Sequence, residues 1–263
     1  MTSTDQFMLA LQAYQEIQAE LRQEEGLGPL VPDGSASAPS SPSQPAGLPA
    51  GSVLLGLAED GLPLLLSLYD PAPGPLLVAG DGGSGKTAFL QSLARLSNAQ
   101  DPGDIQFGVV TPFPEEWTTL EGAPNSLGVW PAHHPSAQTF LAQLVGWADA
   151  LPKTRQAVLL LIDGFDLLAD MDQYMRRDLR WLFLKGPEHQ IWPVVSVNPS
   201  RLNHMQHWLE YFHTRVLGKV KHAHAARLLV EDPDVDLAGL LPGVQFGLYQ
   251  PGQWLKFWLP PLE

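Results

Sequence analysis

The chain has 263 residues, a formal net charge of −13 and no cysteine. That length holds one large α/β domain with appendages, and the lack of thiols excludes a disulfide framework and thiolate metal sites and fits a reducing, cytoplasmic compartment. The acidic balance repels a polyanion over most of the surface, no stretch approaches the ~20 apolar residues of a membrane span, and the first residues lack the basic start and apolar run of a signal peptide, so no membrane association is expected.

Residues 4–25 pattern as an amphipathic helix. Ser3 or Thr4 can cap it, and Phe7, Leu11, Tyr14, Ile17 and Leu21 fall on one stripe before Gly26 stops it. From 26 to 51 the composition collapses largely to Pro, Ser, Gly and Ala, with Pro29, Pro32, Pro39, Pro42, Pro45 and Pro49. Such a stretch buries too little apolar surface to offset its ordering entropy and reads as a linker. Three segments are therefore expected: a helix over 1–25, a linker over 26–51 and a globular domain over 52–263. The helix's apolar stripe calls for a partner, which is its own domain, a neighbouring copy or another protein.

In the globular part, residues 53–57 and 64–68 read as strands around a turn at Glu59-Asp60-Gly61. A strand at 75–79 leads into a helix from Lys86 with Phe89, Leu90, Leu93 and Leu96 inward. Residues 107–111 read as a strand and 137–151 as a helix with Phe140, Leu141, Leu144 and Trp147 on one side. An apolar strand at 157–162, a helix over 171–184, a strand at 192–197, a helix over 201–213 and a strand at 215–220 follow. Residues 244–249 and 254–259, joined by Gln250-Pro251-Gly252-Gln253, form a terminal hairpin. Alternating strand and helix predicts an α/β fold with a mainly parallel sheet covered on both faces.

Gly80-Asp81-Gly82-Gly83-Ser84-Gly85-Lys86-Thr87 has the form G-x-x-x-x-G-K-[ST], directly after a strand and directly before a helix. Glycines let the backbone wrap a phosphate and turn its N–H groups inward, and the following helix adds the positive end of its dipole. Lys86 would reach the β- and γ-phosphates, and the Thr87 hydroxyl would hold Mg²⁺. The candidate nucleotide-binding residues run from Gly80 through Ala88, with ATP and Mg²⁺ as the expected cofactors. A second station is Asp163 at the end of the apolar strand 157–162, suited to Mg²⁺ and water binding; a turn or capping residue is the alternative. A hydrolysing ATPase of this kind usually places a glutamate next to orient the attacking water, and here Gly164 stands there, with Asp166 two residues beyond. Asn198, after the strand at 192–197, is placed either to sense a γ-phosphate or to start a turn before Pro199.

Other features are bland. Between Asp170 and Arg227 there are nine Lys/Arg against five Asp/Glu, leaving six against twenty-three elsewhere. That segment is either a solvated helix face or a focused basic surface where a polymer is tolerated. His204 and His207, at i and i+3, lack acidic or thiol partners nearby and read as ordinary helix residues rather than metal ligands. Trp147, Trp181, Trp192 and Trp208 fall on apolar faces and read as core; Trp254 and Trp258 alternate on the hairpin and read as covering the sheet or a neighbouring subunit.

Residues 56–260 resemble the FtsK/SpoIIIE branch of the FtsK–HerA superfamily of P-loop motor ATPases. The resemblance is carried, in order, by the strand pair over 56–66, Leu76-Leu77-Val78-Ala79-Gly80, the acidic motif at 159–168, the polar residue and Arg in 192–201, Thr214-Arg215-Val216-Leu217-Gly218-Lys219-Val220 and Leu240-Leu241-Pro242-Gly243. It implies a RecA-like core with sheet order 5-1-4-3-2, homo-oligomeric ring assembly with ATP between subunits, and Arg201 and Arg215 as residues reaching a neighbour's γ-phosphate. Family translocases carry Asp-Glu at the acidic motif; Asp163-Gly164-Phe165-Asp166 looks more like the degenerate ATPase modules of type VII secretion proteins of the EccC type. The DNA-reading winged helix of chromosome translocases is expected to be absent. Two functions follow. One is an oligomeric ATP-binding FtsK/HerA-type ATPase with weak or conditional hydrolysis that drives DNA or protein translocation. The other is a catalytically inactive nucleotide-binding scaffold or switch that recruits a partner through its N-terminal helix.

Overall fold

The computed structural model describes residues 48–150, 156–168 and 172–260, with the side chains of 149, 150 and 204 left out. The helix expected over 4–25 and nearly all of the linker lie outside the described residues, as do the expected helix ends at 151 and 171 and the side chain of His204. In chain order the elements are β1 (Ser52–Ala58), β2 (Pro63–Ser67), β3 (Leu76–Ala79), α1 (Lys86–Ser97), β4 (Ile105–Thr111), β5 (Ser126–Pro131), α2 (Pro135–Ala150), β6 (Ala157–Ile162), α3 (Gln173–Lys185), β7 (Ile191–Val197), β8 (Thr214–Leu217), α4 (Ala223–Leu229), β9 (Gln245–Gln250) and β10 (Gln253–Trp258).

The ten strands make one mixed sheet in the order β2-β1-β10-β9-β8-β3-β7-β6-β4-β5. The block from β8 to β5 is parallel throughout, and β9, β10, β1 and β2 continue it by antiparallel pairing. Numbering the expected core strands β3, β4, β6, β7 and β8 from 1 to 5, the stretch β8-β3-β7-β6-β4 stands in the order 5-1-4-3-2 within a sheet of ten, and β5, on the far edge, was not expected. It pairs with β4, and Asn125 docks its start by donating from its amide to the carbonyls of Ser97, Gln100 and Ile105 at 3.1, 3.1 and 2.7 Å. Only tertiary context makes Ser-Leu-Gly-Val-Trp-Pro a strand, since Gly128 and Pro131 both argue against one in isolation.

Two cores cover the two faces of the sheet, and β6 shows why. Val158, Leu160 and Ile162 join Leu141 and Leu144 of α2 and Leu179 and Leu182 of α3. The alternate residues Ala157, Leu159 and Leu161 join Phe89, Leu90 and Leu93 of α1. A strand buried on both sides is predominantly apolar, and fully burying each such aliphatic side chain is worth about 1.5–3 kcal/mol. Trp192 on β7 is fully buried, and its indole N–H donates to the Leu68 carbonyl at 2.9 Å.

The helix expected over 201–213 is replaced by a 3-10 helix, Pro199–His204, followed by one α-helical turn, Gln206–Leu209. Leu202, Met205 and Trp208 are all buried, and their spacing of three matches three residues per turn rather than 3.6. The bonds Met205 N–H to Leu202 O and Trp208 N–H to Met205 O, both 2.8 Å, follow that period. The strand expected over 215–220 is Thr214–Leu217, because the chain leaves β8 at Gly218 to pack on the glycine-rich loop. Helix α4 was not expected. None of the described helices is long and apolar enough to cross a membrane.

Candidate functional site

The carboxyl ends of β3, β6 and β7 converge with the segment after β8. Strand β3 is wholly buried, and the chain after it is held by backbone bonds on both flanks. Gly80 N–H reaches Val197 O at 3.4 Å on one side; Asp81 N–H reaches Lys219 O at 2.9 Å, and Lys221 N–H donates to Asp81 Oδ2 at 2.8 Å, on the other. Gly82 and Gly83 stay exposed at the tip, and the half-buried Thr87 and Ala88 lie in the first turn of α1. Gly85 has φ +95°, and a Cβ there would fall 2.5 Å from Gly243 Cα. Only glycine serves at that crossing.

Lys86 folds its ammonium onto the loop, donating to Gly80 O at 2.8 Å and Asp81 O at 3.0 Å. Burial pushes its pKa down, with Asp166, Asp163 and Asp81 pulling the other way. A desolvated cation beside exposed backbone N–H groups at a helix N-terminus is an anion-binding arrangement.

Asp163 closes β6 and is 5 % exposed. Ser196 Oγ on β7 donates to its Oδ1 at 2.6 Å and accepts the Gly164 N–H at 2.8 Å. Gly164 itself has φ +78°, and a Cβ there would stand 3.3 Å from Pro112 Cγ. Asp166 is also buried; its Oδ1 accepts the Asn198 N–H at 2.9 Å, and its Oδ2 lies 3.6 Å from Arg201 Nη1. The Arg201 side chain is half exposed. The Asn198 side chain caps the 3-10 helix, its Oδ1 accepting Ser200 N–H at 3.1 Å and Ser200 Oγ at 3.0 Å, so its carbonyl oxygen is committed to the turn before Pro199.

The structure thus brings together the loop from Gly80 to Ala88 with Asp163, Asp166, Asn198 and Arg201. It does not bring Arg215 there. That guanidinium donates to Phe212 O at 3.0 Å and Leu229 O at 2.6 Å, which anchors it toward the amino end of β8, opposite the loop. Burial lowers its pKa, partly offset by Tyr249 and Glu231.

Two nearby groups escaped the sequence reading. Ser196 had a signal, as the lone hydroxyl in an otherwise apolar buried strand. Glu116 had none. It sits in the 3-10 turn Pro114–Trp117 after β4, and its carbonyl accepts the Gln91 side chain of α1 at 2.9 Å. Gln91 lies four residues beyond Thr87, on the same helix face. The Glu116 carboxyl is pushed up by burial and by the neighbouring charges of Asp163 and Glu115.

A family model described as "NACHT domain" matches residues 74–231, more than half of the chain and all of the loop and acidic stations. Comparison with curated proteins finds no sequence match. Among solved structures, Thermomonospora curvata EccC (ATPases 2 and 3), in complex with a signal sequence peptide, is similar at a TM-score of 0.65 and 14 % identity, covering 90 % of this chain and 46 % of that one. EssC (ATPases 2 and 3) from Geobacillus thermodenitrificans gives a TM-score of 0.65 at 14 % identity, covering 90 % and 48 %. The monomer form of the pCW3 conjugation coupling protein TcpA, with ATPγS, gives 0.58 at 14 % identity, covering 86 % and 71 %. The chain spans about half the length of the EccC and EssC structures it matches. At these identities the likeness concerns the fold, that of EccC/EssC-type P-loop ATPase domains.

Proposed function

We infer that this chain, which belongs to the NACHT domain family, is a P-loop NTPase domain that binds ATP at Gly80–Ala88 and hydrolyses it weakly or conditionally. The observation that carries this reading is the desolvated Lys86 ammonium held at the mouth of the loop by the Gly80 and Asp81 carbonyls. Those carbonyls satisfy it only in part, and a β,γ-phosphate pair is a stronger partner. Mg²⁺ suits the donors present, because Asp163 is a buried carboxylate with Oδ1 oriented by Ser196 and Thr87 brings a hydroxyl in the first turn of α1. Those two side chains would hold the ion, which would supply charge neutralisation of the phosphates.

Hydrolysis is the weak part. Gly164 carries no carboxylate, and Asp166 is engaged by Asn198 N–H and faces Arg201. For Asp166 to orient water, Arg201 must leave it. A γ-phosphate, or one from a neighbouring copy, is a competing anion that would draw the half-exposed Arg201 away. The finer assignment to the FtsK–HerA type, with homo-oligomers and a DNA or protein substrate, rests on that geometry together with the motif order. On the basic segment, Arg177 pairs with Asp178 at 2.9 Å and Lys185 with Glu188 at 3.1 Å, which favours a solvated face. The switch reading, in which ATP holds a conformation and the N-terminal helix recruits a partner, is favoured by the Asp166–Arg201 pair, which keeps the second acid occupied. Both readings place the protein in a reducing, cytoplasmic compartment. Calorimetry with Mg²⁺–ATP on the intact chain and on Lys86→Ala tests binding; equal affinity for the two proteins would overturn it. A turnover assay and mass by light scattering, with and without nucleotide, then separate motor from switch.

A further inference from the structure

We propose that the turn Leu241-Pro242-Gly243-Val244 is the platform on which the nucleobase of the bound nucleotide rests, a role that builds on the ATP-binding reading above. The turn is a rigid extension of the phosphate loop. Gly243 N–H donates to Ser84 O at 3.0 Å, a Cβ on Gly85 would fall 2.5 Å from Gly243 Cα, and Gly243 itself has φ +80°. Buried Leu237 and Leu240 on one side and Phe246 on the other fasten it to the core. Gln245 N–H closes it onto Leu241 O at 3.0 Å, Leu241 N–H donates to Gln245 Oε1 at 3.2 Å, and Leu259 N–H donates to Val244 O at 2.8 Å.

Against that rigid backbone the side chains stand outward. Leu241 is 45 % and Val244 46 % exposed, and Pro242 between them is exposed as well. Two neighbouring apolar side chains held outward on a tightly bonded turn present a surface that an apolar ring face can cover.

The direction in which a nucleotide must lie brings its base here. In the sheet, Asp163 ends β6, which lies beyond β7 on one side of β3; β8 lies on the other side of β3. Lys86 and Asp163 set the γ-phosphate end of the site, so the nucleoside leaves the loop toward β8 and the segment after it. That segment is bonded to the loop through Gly218 N–H to Ala79 O at 2.8 Å and Asp81 N–H to Lys219 O at 2.9 Å, and it ends in the 241–244 turn. The turn offers carbon surface, and the polar side chain that follows it, Gln245, accepts the Leu241 N–H through its Oε1. The turn therefore recognises the face of a base, and a purine, with the larger ring, gains most.

The experiment uses the intact chain and two probes, Mg²⁺–ATP and Mg²⁺–tripolyphosphate, titrated by calorimetry. The unmodified protein is expected to bind ATP at least tenfold more tightly than tripolyphosphate. Val244→Asp and Leu241→Asp, both at solvent-exposed side chains, are expected to weaken ATP about tenfold and leave tripolyphosphate within twofold, while Val244→Ile keeps both. Equal loss of the two ligands would make the turn a mere support of the loop and overturn the proposal. Unchanged ATP affinity in the Asp variants would also overturn it, as would a fall in oligomer mass without a change in ATP affinity, which marks the turn as a contact between copies. Should the unmodified protein bind neither probe, the phosphate-site reading itself has failed and this proposal with it; tripolyphosphate binding without any gain from the nucleoside sinks the platform alone.

Discussion

Ser196 donates to Asp163 at 2.6 Å between adjacent strands and simultaneously accepts the Gly164 N–H, so one hydroxyl orients the acid and ties down the residue after it. Ser196 is fully buried and Asp163 nearly so, and neither group has water to fall back on. Ser196→Ala is expected to cost about 1–3 kcal/mol, the usual penalty for stranding buried polar partners. For a domain of this size that is a fall of about 2–4 °C in Tm per kcal/mol. The Mg²⁺ dependence of nucleotide binding should weaken as well, with Mg²⁺-free binding little altered. Thermal denaturation and calorimetry with and without Mg²⁺ check it; native values for both would show that Asp163 is oriented by something else.

Lys86 carries a stability cost of its own. Its folded pKa lies below the unfolded value of 10.5, with burial the chief cause. A cation with a depressed folded pKa penalises the folded state below that pKa, and the penalty is relieved as pH rises from the folded value toward 10.5. Stability of the nucleotide-free protein is therefore expected to gain across that alkaline window, and ATP affinity to fall there as the ammonium is lost. Lys86→Met keeps the stem and removes the charge. It should raise the nucleotide-free Tm, flatten this alkaline gain and abolish the Tm increase produced by ATP. Denaturation curves from neutral to alkaline pH, with and without Mg²⁺–ATP, measure all three; a large loss of stability in the variant would contradict the sign argued here.

Restoring a glutamate at 164 is expected not to restore a motor. Absence of a positioned base typically costs roughly 10²–10⁴ in rate, so basal turnover should lie below ~1 s⁻¹. Gly164→Glu, however, puts a side chain at φ +78° with its Cβ 3.3 Å from Pro112. Such strain costs on the order of 1–3 kcal/mol and displaces the Ser196–Gly164 bond. A lower Tm with no faster turnover is the expected result, read by denaturation and a phosphate-release assay. A faster, equally stable variant would mean that this turn adapts.

A chain truncated to begin at Leu48 should fold and bind nucleotide as the full chain does. Retaining Pro49 and Gly51 keeps the Ser52 N–H to Pro49 O bond at 3.0 Å and the Leu68 N–H to Gly51 O bond at 2.7 Å, which fasten the start of β1 and the end of β2. Matched Tm and ATP affinity are the expected outcome. An insoluble or molten truncated protein would place the N-terminal helix on its own domain.

What could be read in advance was whatever depends on neighbours in sequence. The loop Gly80 to Thr87 is eight contiguous residues between an apolar strand and a helix, and phosphate-binding backbone is a local property. Strand β6 announces itself as an unbroken apolar run, the pattern of a strand buried on both faces, and Asp163 stands out as the first polar residue after it. The start of the 3-10 helix at Pro199–His204 was readable in the turn signal Asn198-Pro199, and its continuation was masked by assuming one helix of 3.6 residues per turn over 201–213.

Pairings between distant segments were decided only by the tertiary structure. The family resemblance gave Arg201 and Arg215 the same role, yet folding set Arg201 beside Asp166 and spent Arg215 on the carbonyls of Phe212 and Leu229. It brought Ser196 onto Asp163, Glu116 to within electrostatic reach of the same acid, and Gly243 against Gly85 across more than 150 residues of chain. The reason is physical. Helix, strand and phosphate loop are encoded in periods of two to four residues and in backbone freedom, whereas side-chain partnership depends on which strands lie side by side, and that order emerges only when both faces of the sheet are buried together.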